Sequence, residues 1–341
     1  MLDNLEYKIL HKATPEIKEL LSATIYGTTG LRYSHLDTDE KLDRITNPDF
    51  HTLWLQDKLI AVAAYCKRMV TSEQKRYPAY YIRYFSVQPS HQGQGIGKLL
   101  TEKLEQHYRA KTTEPTLFYA YIEKKNLRSI AVSNQFKSES IGAFKSVLFS
   151  RFKPNVNSRF TAISPIEFET FASQHYSDHA LFLTDKLGYK NQCYGIRENG
   201  HLVAAVQANP VSWKVHHIPG FLGWLSRNVL HFIPILGRLA PRSTFSFVAF
   251  EGLRTRSGHE DKIIPLMASC LAKHKMYVGM SYFDVKDPIF TYMSELNGMG
   301  LMRIIQHPPA VSVLCYFLNF PEEEKQPFFD NPKYLSCFDL T

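Results

Sequence analysis

The sequence predicts a mixed α/β protein with a mixed sheet, built as two similar units in tandem, and three observations carry that prediction. Short apolar runs rich in β-branched and aromatic residues alternate with helical stretches along the chain. A glycine-rich turn, "QGQGIGK" from Gln92 to Lys98, joins one such strand to one such helix. The pattern then begins again in the second half. At 341 residues, 44% of them hydrophobic and 21% charged, the chain has material for two domains of about 150 residues.

The strand "EYKIL" opens the chain. Thr14 then caps a helix that has Pro15 at its first position and Glu16 in its first turn. A second helical stretch covers Asp39 to Ile45. "HTLWLQDKLIAVAAYCKRM" reads as two strands turning at Gln56, Asp57 and Lys58, and "AYYIRYFSV" as another. The glycine turn opens a helix running to about Tyr108. "TLFYAYIE" follows Pro115 as a strand, "NLRSIAVSNQF" as a short helix and "SIGAFKSVLFSRF" as a closing strand. The polar stretch "KPNVNSR", Lys153 to Arg159, reads as a linker, which sets the units at 1–153 and 154–341.

Beyond the linker, "ENGHLVAAVQANPVSW" echoes "QDKLIAVAAYCKRMV", and "MSYFDVKDPIFT" echoes "YAYIEKKNLRSI". In the second pairing Tyr121 meets Tyr282, Glu123 meets Asp284, Lys125 meets Lys286 and Asn126 meets Asp287, at an offset of 161. The same offset lays Val87 on Val248. We read this as a degenerate internal duplication. The apolar residues at about 216–241 then become an insertion between the third and fourth strands of the second unit.

Composition excludes several classes of function. The formal charge of +8 is spread without a block of like charge, so it predicts mild attraction for polyanionic small molecules and no nucleic-acid partner. Five cysteines, Cys66, Cys193, Cys270, Cys315 and Cys337, are odd in number and form no C-x-x-C pair, which argues against a disulfide framework or zinc site and suits a reducing cytoplasm. "MLDNLEYKIL" lacks the pattern of a signal peptide. The most apolar segment, Pro219 to Ala240, is broken by Arg227, His231, Pro234 and Arg238, so no transmembrane span is expected. His216 and His217 are adjacent with no patterned cysteine or carboxylate, and no metal is expected.

The glycine turn is the strongest functional signal, because free N–H groups at a helix N-terminus attract an anion and glycines let it come close. A Walker loop fails here, since Gly97-Lys98 has Gln92 five residues before it and Leu99 after it. A dinucleotide fingerprint fails at its third glycine, where Lys98 stands. A third pattern fits: a strand ending Val87-x-Pro89, then Gln92, Gly95 and Gly97, with Ile96 and Leu99 on the helix. This resembles the GNAT superfamily of acetyl-CoA-dependent N-acetyltransferases, and the order of elements in the first unit is also that of the superfamily. The resemblance implies that Gln92, Gly93, Gln94, Gly95, Ile96, Gly97 and Lys98 hold the CoA pyrophosphate. It places Phe85 and Val87 beside an opening between strands that takes the pantetheine. Asn126 and Ser129, in Asn-x-x-Ser, then match the family's contact to the CoA arm.

Amine acetylation needs a neutral amine, a polarised thioester and a fixed geometry. Glu123, at the end of the strand beside the opening, is the expected base, with Tyr121, or Tyr119 on the same strand face, as a possible acid. Four residues past Ser129, where the family often carries a tyrosine that protonates the leaving thiolate, this chain has Ser133. Arg83 puts a cation where a base might otherwise stand. In the second unit the offset lays Gln92, Gly95 and Gly97 on Leu253, Arg256 and Gly258, so that copy is expected to be degenerate, with Arg254 and Arg256 in a solvated basic loop. The reading that results is an N-acetyltransferase that uses acetyl-CoA as acyl donor and a small-molecule or peptide amine as acceptor. The alternatives are a non-catalytic acyl-CoA sensor, and a longer-chain acyltransferase whose insertion supplies an apolar groove or rests on a membrane surface.

Overall fold

A computed structural model describes residues 4–28, 30–229, 232–233, 237, 239, 243–305 and 308–341. In the first half the elements are β1 (Glu6–Leu10), α1 (Pro15–Ser22), β2 (Arg32–His35), α2 (Thr38–Asp43), β3 (Pro48–Leu55), β4 (Lys58–Ser72), β5 (Lys75–Val87), α3 (Ile96–Lys111), β6 (Thr116–Glu123), α4 (Leu127–Gln135) and β7 (Glu139–Ser150). The second half adds β8 (Phe160–Ala162), α5 (Pro165–His175), β9 (Cys193–Glu198), β10 (His201–His217), α6 (Gly220–Asn228), β11 (Thr244–Thr255), α7 (Ile263–Lys273), β12 (Val278–Asp284), α8 (Pro288–Glu295), α9 (Leu301–Ile305), β13 (Val311–Leu318), α10 (Glu322–Asp330) and α11 (Cys337–Leu340).

Local chemistry sets the ends of these elements, and the two halves use the same devices. Thr14 accepts a hydrogen bond from Ile17 N with Pro15 opening α1, and Ser164 accepts from Glu167 N with Pro165 opening α5. The β3–β4 turn puts Gln56 and Asp57 at φ +48° and +62°, and the β9–β10 turn puts Asn199 and Gly200 at +50° and +81°. Positive φ at both central residues of a two-residue loop suits the right-handed twist of a hairpin.

All the strands join one sheet in the order β1-β3-β4-β5-β6-β13-β7-β12-β11-β10-β9-β8, with β2 paired to β10. The halves exchange strands. β13, from the second half, lies antiparallel to both β6 and β7 of the first, while β7 pairs antiparallel with β12. β2 of the first half likewise adds to β10, with Trp213 opposite His35 and Val215 opposite Tyr33. Residues 154–159 do link β7 to β8, but in space no boundary falls there.

The repeat is real, although a single offset does not describe it. Parallel pairs align Tyr81 with Tyr119 in the first half and Ala249 with Met280 in the second, so β6 maps onto β12 with the expected shift of 161 while β5 maps onto β11 with a shift of 168. Val87, at the end of its strand, therefore corresponds to Thr255 and not to Val248, which is mid-strand. The intervening helix accounts for five of the seven residues lost, since α3 has 16 residues and α7 has 11. Of the insertion at about 216–241, His216 and His217 are the end of β10 and α6 follows, while residues 230–231, 234–236, 238 and 240–242, His231, Pro234 and Arg238 among them, lie outside the described residues. No helix among the described residues is long and apolar enough to cross a membrane, which says nothing of a β-barrel.

The exchange predicts the behaviour of fragments. Residues 1–153 alone lack the strand that joins β6 to β7, so by circular dichroism and thermal melting they should show no cooperative transition, and residues 154–341 added in trans should restore one. A cooperatively folded, monomeric 1–153 would disprove the dependence.

Candidate functional site

β5 and β6 are paired over only three positions, Ala79–Leu117, Tyr80–Phe118 and Tyr81–Tyr119, and then diverge. The cause lies on the other edge of β5. Ala64 of β4 opposes Tyr84 whereas Tyr65 opposes Ile82, so Arg83 is an extra residue, a bulge that bends the strand away. The Arg83 side chain is buried, and donates from Nη1 to the Phe338 carbonyl (2.8 Å) with Asp339 Oδ1 at 3.8 Å. Past Tyr81 no strand among the described residues pairs with the β6-facing edge of β5, which leaves an opening through the sheet.

On one side of the opening β5 runs into the glycine loop. Gly93 and Gly95 have φ of +78° and +80°, a region that disfavours a side chain, and Gly95 is the N-cap of α3. A Cβ at either glycine would meet nothing within 4 Å, and at Gly97 only the Phe85 ring at 3.6 Å. The first amide to close a bond along the helix is that of Leu99, to Gly95 O (3.0 Å), so those of Ile96, Gly97 and Lys98 lack an intrahelical acceptor. These amides and the space over the glycines fit a pyrophosphate. Side chains brace the loop: Gln92 Nε2 donates to Val87 O (3.1 Å) and Gln94 Nε2 to Ser90 O (3.0 Å).

Asn126 accepts from Ser129 N (3.2 Å), which starts α4 beside the loop. Arg128 then donates to Gln92 Oε1 (2.9 Å), carrying a guanidinium to the loop that the glycine pattern did not reveal. Lys98 is exposed, with Glu102 at 3.9 Å. Ser133 is the one buried residue of α4. Phe85, Val87, Gln92, Gly93, Gly95, Ile96, Gly97, Lys98, Asn126 and Ser129 line a cavity of about 2130 Å³, together with Tyr121, Glu123 and Ser133. Gln94 is the one expected loop residue outside that lining.

Glu123 lies at the far rim of the opening, where Thr28 fixes its Oε2 through Oγ1 (2.7 Å) and backbone N (3.3 Å). Burial, and secondarily the Glu123 charge, raises the Tyr33 hydroxyl well above its ordinary value. Tyr121 packs against Tyr81 and Tyr119, with ring centroids 5.1 and 5.9 Å away. Burial raises its hydroxyl too, which makes it a poor acid though still a hydrogen-bond donor. Tyr119 receives Arg68 Nη1 at 3.1 Å.

In the second half the equivalent opening, beyond Ala249 and Met280, is filled. The buried Glu251 carboxylate accepts from the hydroxyls of Tyr334 and Ser336 and from the backbone N of Cys337 (2.7 Å) and Phe338 (3.3 Å). Arg254 is not in a solvated loop, because it is buried in an ion pair with Asp287 and bonds His179 (2.9 Å). Arg256 Nε is used on Leu202 O (2.8 Å). His216 bonds Ser34 (2.9 Å), and among the described residues no group of three His, Cys, Asp or Glu is placed to hold a metal ion.

A family profile described as "Acetyltransferase (GNAT) family" matches residues 15–136, which hold the opening, the glycine loop and Asn126. Residues 15–136 are a GNAT domain. Such a domain is built to transfer an acyl group from an acyl-CoA to an amine. No curated protein matches the chain in sequence. Among solved structures it is similar to N-myristoyltransferase of Saccharomyces cerevisiae with bound myristoyl-CoA, with a TM-score of 0.62, 8% identity, and coverage of 94% of this chain and 85% of that one. It is also similar to a tandem GNAT protein from the clavulanic acid biosynthesis pathway (TM-score 0.54, 10% identity, 91% and 97% covered). A GCN5-related N-acetyltransferase from Anabaena variabilis gives a TM-score of 0.53 at 11% identity, with 91% and 72% covered. At these identities the likeness is one of fold, here the tandem GNAT fold.

Glycine substitutions in the two halves should separate charge from strain. Gly95→Glu should abolish acetyl-CoA binding in calorimetry, since the carboxylate would repel the pyrophosphate at short range. Gly95→Ala, with the same unfavourable φ, should retain measurable binding. Gly258→Glu carries similar strain at φ +81° and should change the affinity by no more than a few-fold. Equal loss in Gly95→Glu and Gly258→Glu would mean that the loop before α7 also takes part in CoA binding.

Proposed function

We propose that the protein transfers an acetyl group from acetyl-CoA to the primary amine of a small molecule or peptide, in the cytoplasm. One observation carries this reading: the opening between β5 and β6 has helix-N-terminal amides on one side and a fixed carboxylate, Glu123, on the other. In the reaction Glu123 takes a proton from the ammonium, directly or through one water, and the neutral amine attacks the thioester carbonyl. The N–C bond forms as the C–S bond breaks. Backbone N–H groups on the unpartnered edge of β5 near Val87 polarise the carbonyl. The attacking nitrogen sheds its second proton to solvent, and, with Ser133 at the position where a phenol is often found, the CoA thiolate takes its proton from solvent. The five cysteines are buried and free, which suits a reducing compartment.

Glu123→Gln should lower kcat by about 10²–10⁴ and leave acetyl-CoA affinity within a few-fold, because a base acts on the transition state and not on cofactor contacts. Thr28→Ala, which removes the hydroxyl bond and leaves the backbone one, should give a smaller loss in kcat. An unaltered rate in Glu123→Gln would place the base elsewhere.

A second reading, a longer acyl donor, is favoured by one feature of the cavity. Ser133 is small and buried where a tyrosine would fill space, with Phe118, Leu314 and Tyr316 also lining the cavity. One of the similar structures is itself described with bound myristoyl-CoA. Thiol release measured with acetyl-, succinyl- and long-chain acyl-CoA decides: acetyl-CoA should give the highest kcat/KM, and a preference for the long chain would replace the first reading with the second.

A further inference from the structure

Opposite residues in a sheet share a face, and the register therefore traces what lies on the Glu123 side of the opening. Glu123 is opposite Val311 and Val311 opposite Phe144; on the same face Ser146 is opposite Tyr282, Leu148 opposite Met280, and Phe245 opposite Trp213. Phe144, Ser146, Tyr282, Met280, Phe245 and Trp213 all line the same cavity as Glu123. The floor thus crosses from β6 to β10, five interstrand spacings of about 4.8 Å, or roughly 24 Å. Leu301 and Met302 of α9 form part of its wall.

Its chemistry is one-sided. Among the described lining residues three are acidic: Glu105, Glu123 and Asp339. Glu105 is on α3, bonded to Arg109 (2.8 Å), and Asp339 is held by Arg68 Nη1 (2.7 Å) and Nη2 (3.1 Å). Beyond Glu123 the floor is aromatic, methionine and serine. A second ammonium on the acceptor would leave water there without a counter-charge, which is strongly unfavourable. At the far mouth Ile218 and Pro219 line the cavity and lead into α6, where Phe221 and Trp224 are 71% and 55% exposed and their rings lie 5.8 Å apart.

We infer that the acceptor is an amine with one positive charge on an extended apolar body, bound along this groove between the halves, and that polycationic amines are excluded. This rests on the acyl-transfer reading above. Glu123 receives the single ammonium at the opening, and the aromatic and methionine floor takes the body.

The test is thiol release from acetyl-CoA with four acceptors: octylamine, a peptide with a free amino terminus and an aliphatic body, spermidine and an aminoglycoside. The first two, which separate a small-molecule source from a peptide, should either or both exceed spermidine and the aminoglycoside at least tenfold in kcat/KM. Leu301→Glu, at a half-buried wall position, should lower kcat/KM for the preferred apolar acceptor about tenfold through KM, leave acetyl-CoA affinity unchanged, and raise relative use of spermidine. Ser146→Asp, on the half-exposed floor, should do the same and serves if the first variant does not fold. Preference of the wild type for spermidine or the aminoglycoside, or no effect of either folded variant, overturns the inference while leaving acyl transfer intact. No thiol release with any amine, with acetyl-CoA still bound, overturns the transferase reading and this inference with it.

Discussion

The fold depends on a strand that each half cannot supply for itself. β6 and β7 are joined only through β13, and β13 arrives from more than 160 residues further along the chain. Closing such a contact costs chain entropy that local elements do not repay, so the two halves must fold into one sheet or leave rows of backbone groups unpaired. A functional consequence follows directly. Because β6, β13, β7 and β12 are consecutive ladders, the distance from Glu123 to the aromatic residues of the second half is set by interstrand spacing and not by a linker.

The segment 331–341 uses the same architecture to tie both openings together. With the strand shift of 168, Arg83 corresponds to Glu251, and the two side chains grip neighbouring groups of that segment: Arg83 the Phe338 carbonyl, Glu251 the Cys337 and Phe338 amides. Opposite charges at equivalent positions suit opposite ends of the peptide dipole. Burial raises the Glu251 carboxyl, and its hydrogen bonds with Cys337, Tyr334 and Ser336 draw it back down. Arg68 and Asp339 form a buried pair a few residues later, where removing one partner strands a charge at a typical cost of about 3–5 kcal/mol. The segment fills the second opening and only borders the first.

What could be read from the sequence was what a short window encodes. Gly93 and Gly95 were legible because positive φ is a property of one residue, and Thr14, Pro15, Gln56 and Asp57 were legible because caps and hairpin turns are made within a few positions. β13 was not, since "VSVLCYFL" reads as a buried strand whichever neighbours it has, and β2 is four residues with only Ser34 buried. The site divides in the same way. The loop and Asn126 were legible through their resemblance to the GNAT pattern, whereas Thr28, Arg128 and the bulge at Arg83 act through contacts to residues 36 to 95 positions away or through strand register.

Charge at equivalent positions explains why one opening suits an anion and the other does not. Asn126 caps α4 with a neutral amide, and its counterpart Asp287 caps α8 with a carboxylate held below its ordinary range, against burial, by His179 and Arg254. α3 begins with glycines and a lysine; α7 is preceded by Glu260, Asp261 and its N-cap Lys262, whose ammonium is taken up by Asp261 (2.6 Å) and Glu198 (3.1 Å), so acids stand where a phosphate would otherwise bind. An incoming pyrophosphate would therefore meet two carboxylates and the Asp287 pair in the second half, and free amides with Arg128 nearby in the first. The second half has instead used its opening to hold segment 331–341. Its sheet then serves as the floor on which the first half can present an acceptor.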